Sequence, residues 1–151
     1  DGGDTSSAFT FETKDPTGPD TSNVDNELQP VIVNYKSSGT ALGQVQFGNV
    51  EASSNSAGVL FTYDGAAFGV AEVTIHTINQ ENTLHQANKM LICADTTGTD
   101  ALNYSNYSVL YSDGSTEIAT FTASIASDGT VSVNVDGDDN DDFFYAVTFL
   151  K

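Results

Sequence analysis

The chain is predicted to be all-β: an antiparallel β-sandwich or jelly-roll preceded by an extended N-terminal arm. Three observations carry that expectation. From Val31 onward, short apolar runs recur every 8 to 15 residues. Several of them alternate apolar and polar residues with period two, and none sustains the helical period of about 3.6. Between them stand Asp-Gly turns, at Asp64-Gly65, Asp113-Gly114, Asp128-Gly129 and Asp136-Gly137, which favour tight reversals of direction.

Residues 1–30, "DGGDTSSAFTFETKDPTGPDTSNVDNELQP", hold all three prolines and surround one apolar island, Phe9 and Phe11, with Asp, Thr, Ser and Gly. That composition buries too little apolar surface to offset the entropy of ordering, so the segment reads as an arm that gains order on assembly. Residues 31–151 form the sandwich domain. Its expected strands are "VIVNY", "QVQFGNV", "VLFTY", "FGVAEVTIHTI", "NKMLICA", "YSVLYS", "IATFTASI", "TVSVNV" and "FFYAVTFL". "NQENTLHQANK", where the strand signal lapses, reads as a loop. Nine short antiparallel strands close most naturally as a sandwich.

Register can be assigned in one hairpin. In "FTASIASDGTVSVNV" a two-residue Asp128-Gly129 loop sets Ile125 opposite Ser132 and divides the apolar residues between two faces. A three-residue loop, Ser127-Asp128-Gly129, instead pairs Ile125 with Val131, Ala123 with Val133 and Phe121 with Val135, all on one face. The second arrangement requires Gly129 at positive φ, in a bulge after a type I turn.

At 151 residues and 38% hydrophobic content, the chain is sized for one domain with a substantial core. Twenty-one acidic residues face four lysines and no arginine, for a formal net charge of −17. Binding to a phosphate backbone needs clustered cations, so nucleic acid is excluded as a partner. Docking on an anionic membrane is disfavoured for the same reason, and no apolar run approaches the roughly 20 residues of a membrane span. An acidic, lysine-poor surface suits salty surroundings such as seawater or brine, where screening blunts self-repulsion. The single cysteine, Cys93, excludes an intrachain disulfide; inside "KMLICAD" it is expected to be a small buried hydrophobe.

From about Val59 to Lys151 the order of elements resembles a β-domain of virion structural proteins, fibre-like and capsid-accessory, of marine tailed bacteriophages. "YDGAAFGVAEVTIHTI" stands where that family has a strand of the type "sfrsakylvqv", and "HQANKMLICADTTG" is similar to its "eilvvhdG" strand and turn. "ATFTASI" followed by "GTVSVNV" resembles "lgtFdadi" and the strand after it, and "FFYAVTFLK" resembles the closing strand. The chain departs from the pattern at Tyr107, which lacks the family's preceding glutamate, and at Cys93 and Ala94, which replace its "vhd". The resemblance implies a structural role in a virion and brings no catalytic residue with it.

Residue patterns give no reason to expect an enzyme. His76 and His85 are the only histidines, no G-x-S-x-G elbow occurs, and abundant carboxylates follow from the composition alone. In "EVTIHTI" Glu72, Thr74 and His76 fall on one face and Val73 and Ile75 on the other, which reads as a polar strand face; a metal or proton shared by Glu72 and His76 is the sharper alternative. Tyr104, Tyr107 and Tyr111 suggest an aromatic surface for sugar stacking, with Tyr107 and Tyr111 on one face, an arrangement that core packing explains equally well. Asn103-Tyr104-Ser105 and Asn106-Tyr107-Ser108 are tandem glycosylation sequons. Asp136, Asp138, Asn140 and Asp142 alternate like the first half of a calcium loop, but the glycine and bidentate glutamate that complete an EF-hand are missing. A solvated acidic turn is expected there, with calcium as the only cofactor worth testing.

The expected function is therefore that of a non-enzymatic virion protein, a capsid decoration or fibre-like component, displayed on the particle surface. Its partners would be other virion proteins, capsid or tail subunits, and further copies of itself, with a trimer as the implied symmetric assembly. The alternative is a secreted carbohydrate-binding module of a marine or halophilic organism.

Overall fold

The computed structural model describes residues 10–13, 31–37, 40–51, 58–97, 101–138 and 141–151. Among them there is no helix. The strands are β1 (Thr10–Thr13), β2 (Val31–Ser37), β3 (Thr40–Glu51), β4 (Gly58–Asp64), β5 (Val70–Asn79), β6 (Leu84–Asp95), β7 (Ala101–Tyr111), β8 (Thr120–Ile125), β9 (Thr130–Asp136) and β10 (Asp141–Leu150). Seven form a large sheet in the order β1-β2-β3-β10-β5-β6-β7, and three a small sheet in the order β4-β9-β8. Every pairing is antiparallel, and the two sheets pack face to face as a β-sandwich.

β10 is the axis of the core. In "DDFFYAVTFL" the alternation turns Asp141, Phe143, Tyr145, Val147 and Phe149 inward and leaves the residues between them outside. Phe149 meets Phe61 at 6.3 Å between ring centroids, Tyr63 at 4.9 Å and Phe68 at 5.3 Å. At the other end of β10, Phe143 meets Phe121 of the small sheet edge to face, at 6.1 Å. Such pairs add about 0.5–1.5 kcal/mol each beyond the area they bury. The ring of Tyr145 lies on Gly48, where a Cβ would come within 2.4 Å of it, and its hydroxyl accepts a hydrogen bond from Gln46 at 3.1 Å. Only glycine leaves room for the tyrosine across that strand pair.

The β8–β9 hairpin has the expected register, with Ile125 opposite Val131, Ala123 opposite Val133 and Phe121 opposite Val135. Gly129 has a φ of 81° and its N–H donates to Ala126 O at 2.9 Å, which closes the three-residue loop.

Three expectations change. Cys93 is exposed: β6 turns Met90, Ile92 and Ala94 inward, and the same period places Cys93 outside despite its apolar neighbours. The segment read as a loop at "NQENTLHQANK" is mostly sheet. β5 runs to Asn79, Gln80–Thr83 turn the chain with Thr83 at a φ of 54°, and β6 begins at Leu84. Polar Gln86 and Asn88 occupy inward positions of β6, which is why the apolar signal lapses there. Finally, Thr10–Thr13, inside the stretch read as an arm, is a strand paired with β2, Phe11 opposite Val33. The rest of the expected arm, including Phe9, lies outside the described residues.

Candidate functional site

The candidate site is the outer face of the large sheet. Directly opposed residues of an antiparallel ladder share a face, so the registers define its rows. One runs Phe47, Ala146, Thr74, Lys89, Tyr107 from β3 across to β7. The next runs Val45, Thr148, Glu72, Leu91, Ser105. Beyond it lie Tyr35, Gly43, Leu150, Val70, Cys93 and Asn103. On the other side of the first row lie Asn49, Phe144, His76, Ala87 and Leu110.

Two properties set this face apart. Tyr35, Phe47, Leu91, Phe144 and Leu150 are each between 39 and 53% exposed, and Leu110 reaches 68%. The four rows also contain just one of the chain's 21 acidic residues, Glu72. The outer face of the small sheet is different. There Ser124, Ser132 and Thr62 oppose one another, as do Thr122 and Asn134, and Val59 is the exposed large apolar residue. Among the described residues, most of the exposed large apolar side chains thus lie on one side of the sandwich, a patch of the kind on which contacts form.

Glu72 is neutralised in place. Its Oε1 accepts from Lys89 Nζ at 3.1 Å and from Tyr107 Oη at 3.1 Å. The bond from Lys89, then that from Tyr107, holds the Glu72 carboxyl below its ordinary range. Lys89 is raised in turn by Glu72. Burial, followed by the bond to Glu72, raises the Tyr107 phenol. The ion pair is solvent-exposed and contributes little to stability; its consequence is that the face carries no unpaired charge at its centre.

His76 and His85, diagonal neighbours on β5 and β6, form the second polar feature. His76 Nε2 lies 3.0 Å from His85 Nδ1, and the ring centroids are 5.2 Å apart with planes 10° from parallel. The centroid separation exceeds the nitrogen separation by 2.2 Å (5.2 against 3.0 Å), which two ring radii span when the nitrogens lie on the line of centres. The rings therefore meet edge to edge through one shared proton and do not overlap as a stack. Burial, then the charge of His85, lowers the His76 pKa. Glu72 is committed to Lys89 and Tyr107, and the pairing of Glu72 with His76 weighed from sequence is replaced by this His76–His85 contact.

The acidic turn is organised by a residue the alternation of aspartates does not single out. Asp141, fully buried, accepts from Asn79 Nδ2 at 2.8 Å and from the Asp138 N–H at 2.7 Å. Its own N–H donates to Asp138 O at 3.2 Å. Asp141 could have been found by extending the inward phase of Phe143 and Tyr145 back two residues. Of the four residues spaced like a calcium loop, Asp136 ends β9 opposite Thr120, Asp138 caps the turn, and Asp142 lies on the outer side, bonded to Gln80. Asn140 lies outside the described residues. Among the described residues no group of three or more His, Cys, Asp or Glu side chains is arranged to hold a metal.

β7 is an edge strand, and its tyrosines do not line one face. Lys89 pairs with Tyr107 and Ala87 with Leu110, so one extra residue is accommodated at Ser108 and Val109. Ser108 has a φ of 55°. This bulge inverts the alternation, leaving Tyr107 outside and placing Tyr111 opposite inward-facing Gln86. Tyr104 lies opposite Ile92, also on the inner side. The sequence reading that put Tyr107 and Tyr111 on one face is corrected accordingly. Of the two sequon asparagines, Asn106 donates to Phe121 O at 2.8 Å and ties the large sheet to the small one, whereas Asn103 lies opposite Cys93.

No known protein family matches this chain, nor does any curated protein.

Proposed function

We propose that the chain is a virion structural protein, a capsid decoration or fibre-like component of a tailed bacteriophage, working by assembly and surface display and not by catalysis. The observation that carries the assembly half of this reading is the outer face of the large sheet. A chain with a net charge of −17 keeps four rows of one face almost free of carboxylates and exposes aromatic and aliphatic side chains there. Depletion of charge with enrichment of aromatics characterises the centre of protein interfaces. The virion half rests on the resemblance of residues from about Val59 onward to phage structural β-domains. The polar outer face of the small sheet, with Thr62, Ser124 and Ser132, suits the side turned to solvent.

The rival reading is a secreted carbohydrate-binding module. Its expected platform of Tyr104, Tyr107 and Tyr111 is divided between two faces, Tyr104 by the strand's alternation and Tyr111 by the bulge at Ser108, which weakens it. Density-gradient centrifugation separates the two readings. A virion protein bands with particles through a high-salt wash and runs unretarded on polysaccharide gels; a module stays at the top of the gradient and is retarded.

A further inference from the structure

We propose that the occupant of this outer face is a second copy of the same chain, packed sheet against sheet. The inference rests on reading the face as an assembly surface and names its partner. Charge supports a like partner. A cationic protein would be drawn to the acidic remainder of the molecule, where most of the 21 carboxylates lie, and would find no countercharge on these four rows. Two copies at −17 can touch across these four rows without burying an unpaired carboxylate. Glu72 brings its own Lys89 and Tyr107 into the contact, so each copy satisfies its ion pair internally.

Shape and area agree with charge. Five strands about 4.8 Å apart and four rows about 6.8 Å apart give a flat footprint on the order of 600 Å². Side-chain relief increases the accessible area beyond that footprint, toward the roughly 800 Å² per partner of a stable complex. Aligned sheets pack about 10 Å apart, a gap that Phe47, Phe144 and Leu91 from the two copies fill.

The test is sedimentation velocity of the full chain across concentration and salt. The expected result is a species of twice the 15.9 kDa of one chain. It should tighten as salt rises, because screening removes the mutual repulsion of two acidic bodies. Phe144→Lys and Leu91→Lys, both at exposed positions the fold tolerates, should each weaken association at least tenfold, while Ser124→Lys on the polar face leaves it unchanged. Labelling of Cys93, which shares the face, should slow as the dimer fills. A chain monomeric up to about 1 mM in both low and high salt overturns the pairing, as does a dimer indifferent to both lysine substitutions. A monomer whose Cys93 becomes reactive only when residues 1–30 are removed also overturns it, because the chain's own N-terminal segment is then the occupant. Any of these results alongside co-sedimentation with particles leaves the virion reading standing.

Discussion

Gln86 binds Ala119 at both of its backbone groups: its Nε2 donates to Ala119 O at 2.6 Å, and its Oε1 accepts from Ala119 N at 3.2 Å. The same Oε1 accepts from Ile118 N at 2.6 Å, and Nε2 also donates to Asn88 Oδ1 at 2.8 Å. One fully buried side-chain amide thus supplies what a strand neighbour would give, and it fixes the crossing from β7 to β8 against β6. Gln86→Leu nearly keeps the volume and takes this partner from three backbone groups, the buried N–H and C=O of Ala119 and the half-buried N–H of Ile118, each buried group costing about 1–3 kcal/mol. Chemical denaturation of the variant should show a loss of roughly 3 kcal/mol with an unchanged slope. Loss under about 0.5 kcal/mol, the range of ordinary surface substitutions, would show that water replaces the amide.

Gly129 should tolerate alanine poorly. Its φ of 81° lies in the left-handed region, where a Cβ costs on the order of 1 kcal/mol. The space around it is ordinary, with Thr96 Cγ2 at 3.4 Å from a Cβ built there, so the cost is backbone strain alone. Gly129→Asn, which enters that region more readily, should recover part of the loss when the two melting curves are compared.

The histidine pair predicts a pH dependence. His76 is lowered from its ordinary 6.5 by burial first and by His85 second. The folded chain therefore takes up that proton at lower pH than the unfolded chain does. Stability from this site is complete above the unfolded value of 6.5 and declines as pH falls through 6.5 toward the folded value. Urea midpoints measured between pH 8 and pH 5 should drop over the lower half of that range, and His76→Gln should flatten the drop. A midpoint that rises on acidification in wild type alone contradicts the sign.

Asp113 should be the carboxyl that titrates late. Thr116 Oγ1 donates to its Oδ2, while the N–H groups of Ser115 and Thr116 reach its Oδ1 at 3.0 and 2.9 Å. These bonds, the Thr116 hydroxyl foremost, push it down to about 2. Carboxyl NMR should find its midpoint near that value, and Thr116→Val should move it upward. The stability it lends is present above the ordinary 3.8 and fades as pH falls toward about 2.

Much of this architecture was legible in the sequence, for a definite reason. Where one face of a strand is buried and the other wet, period two shows both the strand and its phase, as in "FFYAVTFL" and "TVSVNV". The same alternation fixed the Ile125–Val131 register. The signal failed where buried positions are polar: Gln86 and Asn88 hid the first half of β6, and Asp141 passed for one more solvated aspartate. It failed again where a bulge inverted the phase at Ser108, since no residue type there announces an insertion. Cys93 was misplaced by judging its neighbours' character instead of its position in the alternation. The apolar outer face was invisible before registers were known. Its four rows draw on residues from Tyr35 to Leu150, and only the pairing of β3, β10, β5, β6 and β7 brings them together.

The central claim, that this chain is a structural component of a virion, is tested most directly by absolute quantification of its peptides in salt-washed, gradient-purified particles. The account predicts a fixed copy number: hundreds per particle for a capsid decoration, or a few dozen or fewer for a fibre or neck component. Particles free of the chain, with the protein recovered in the particle-free fraction and retained on polysaccharide, would contradict it.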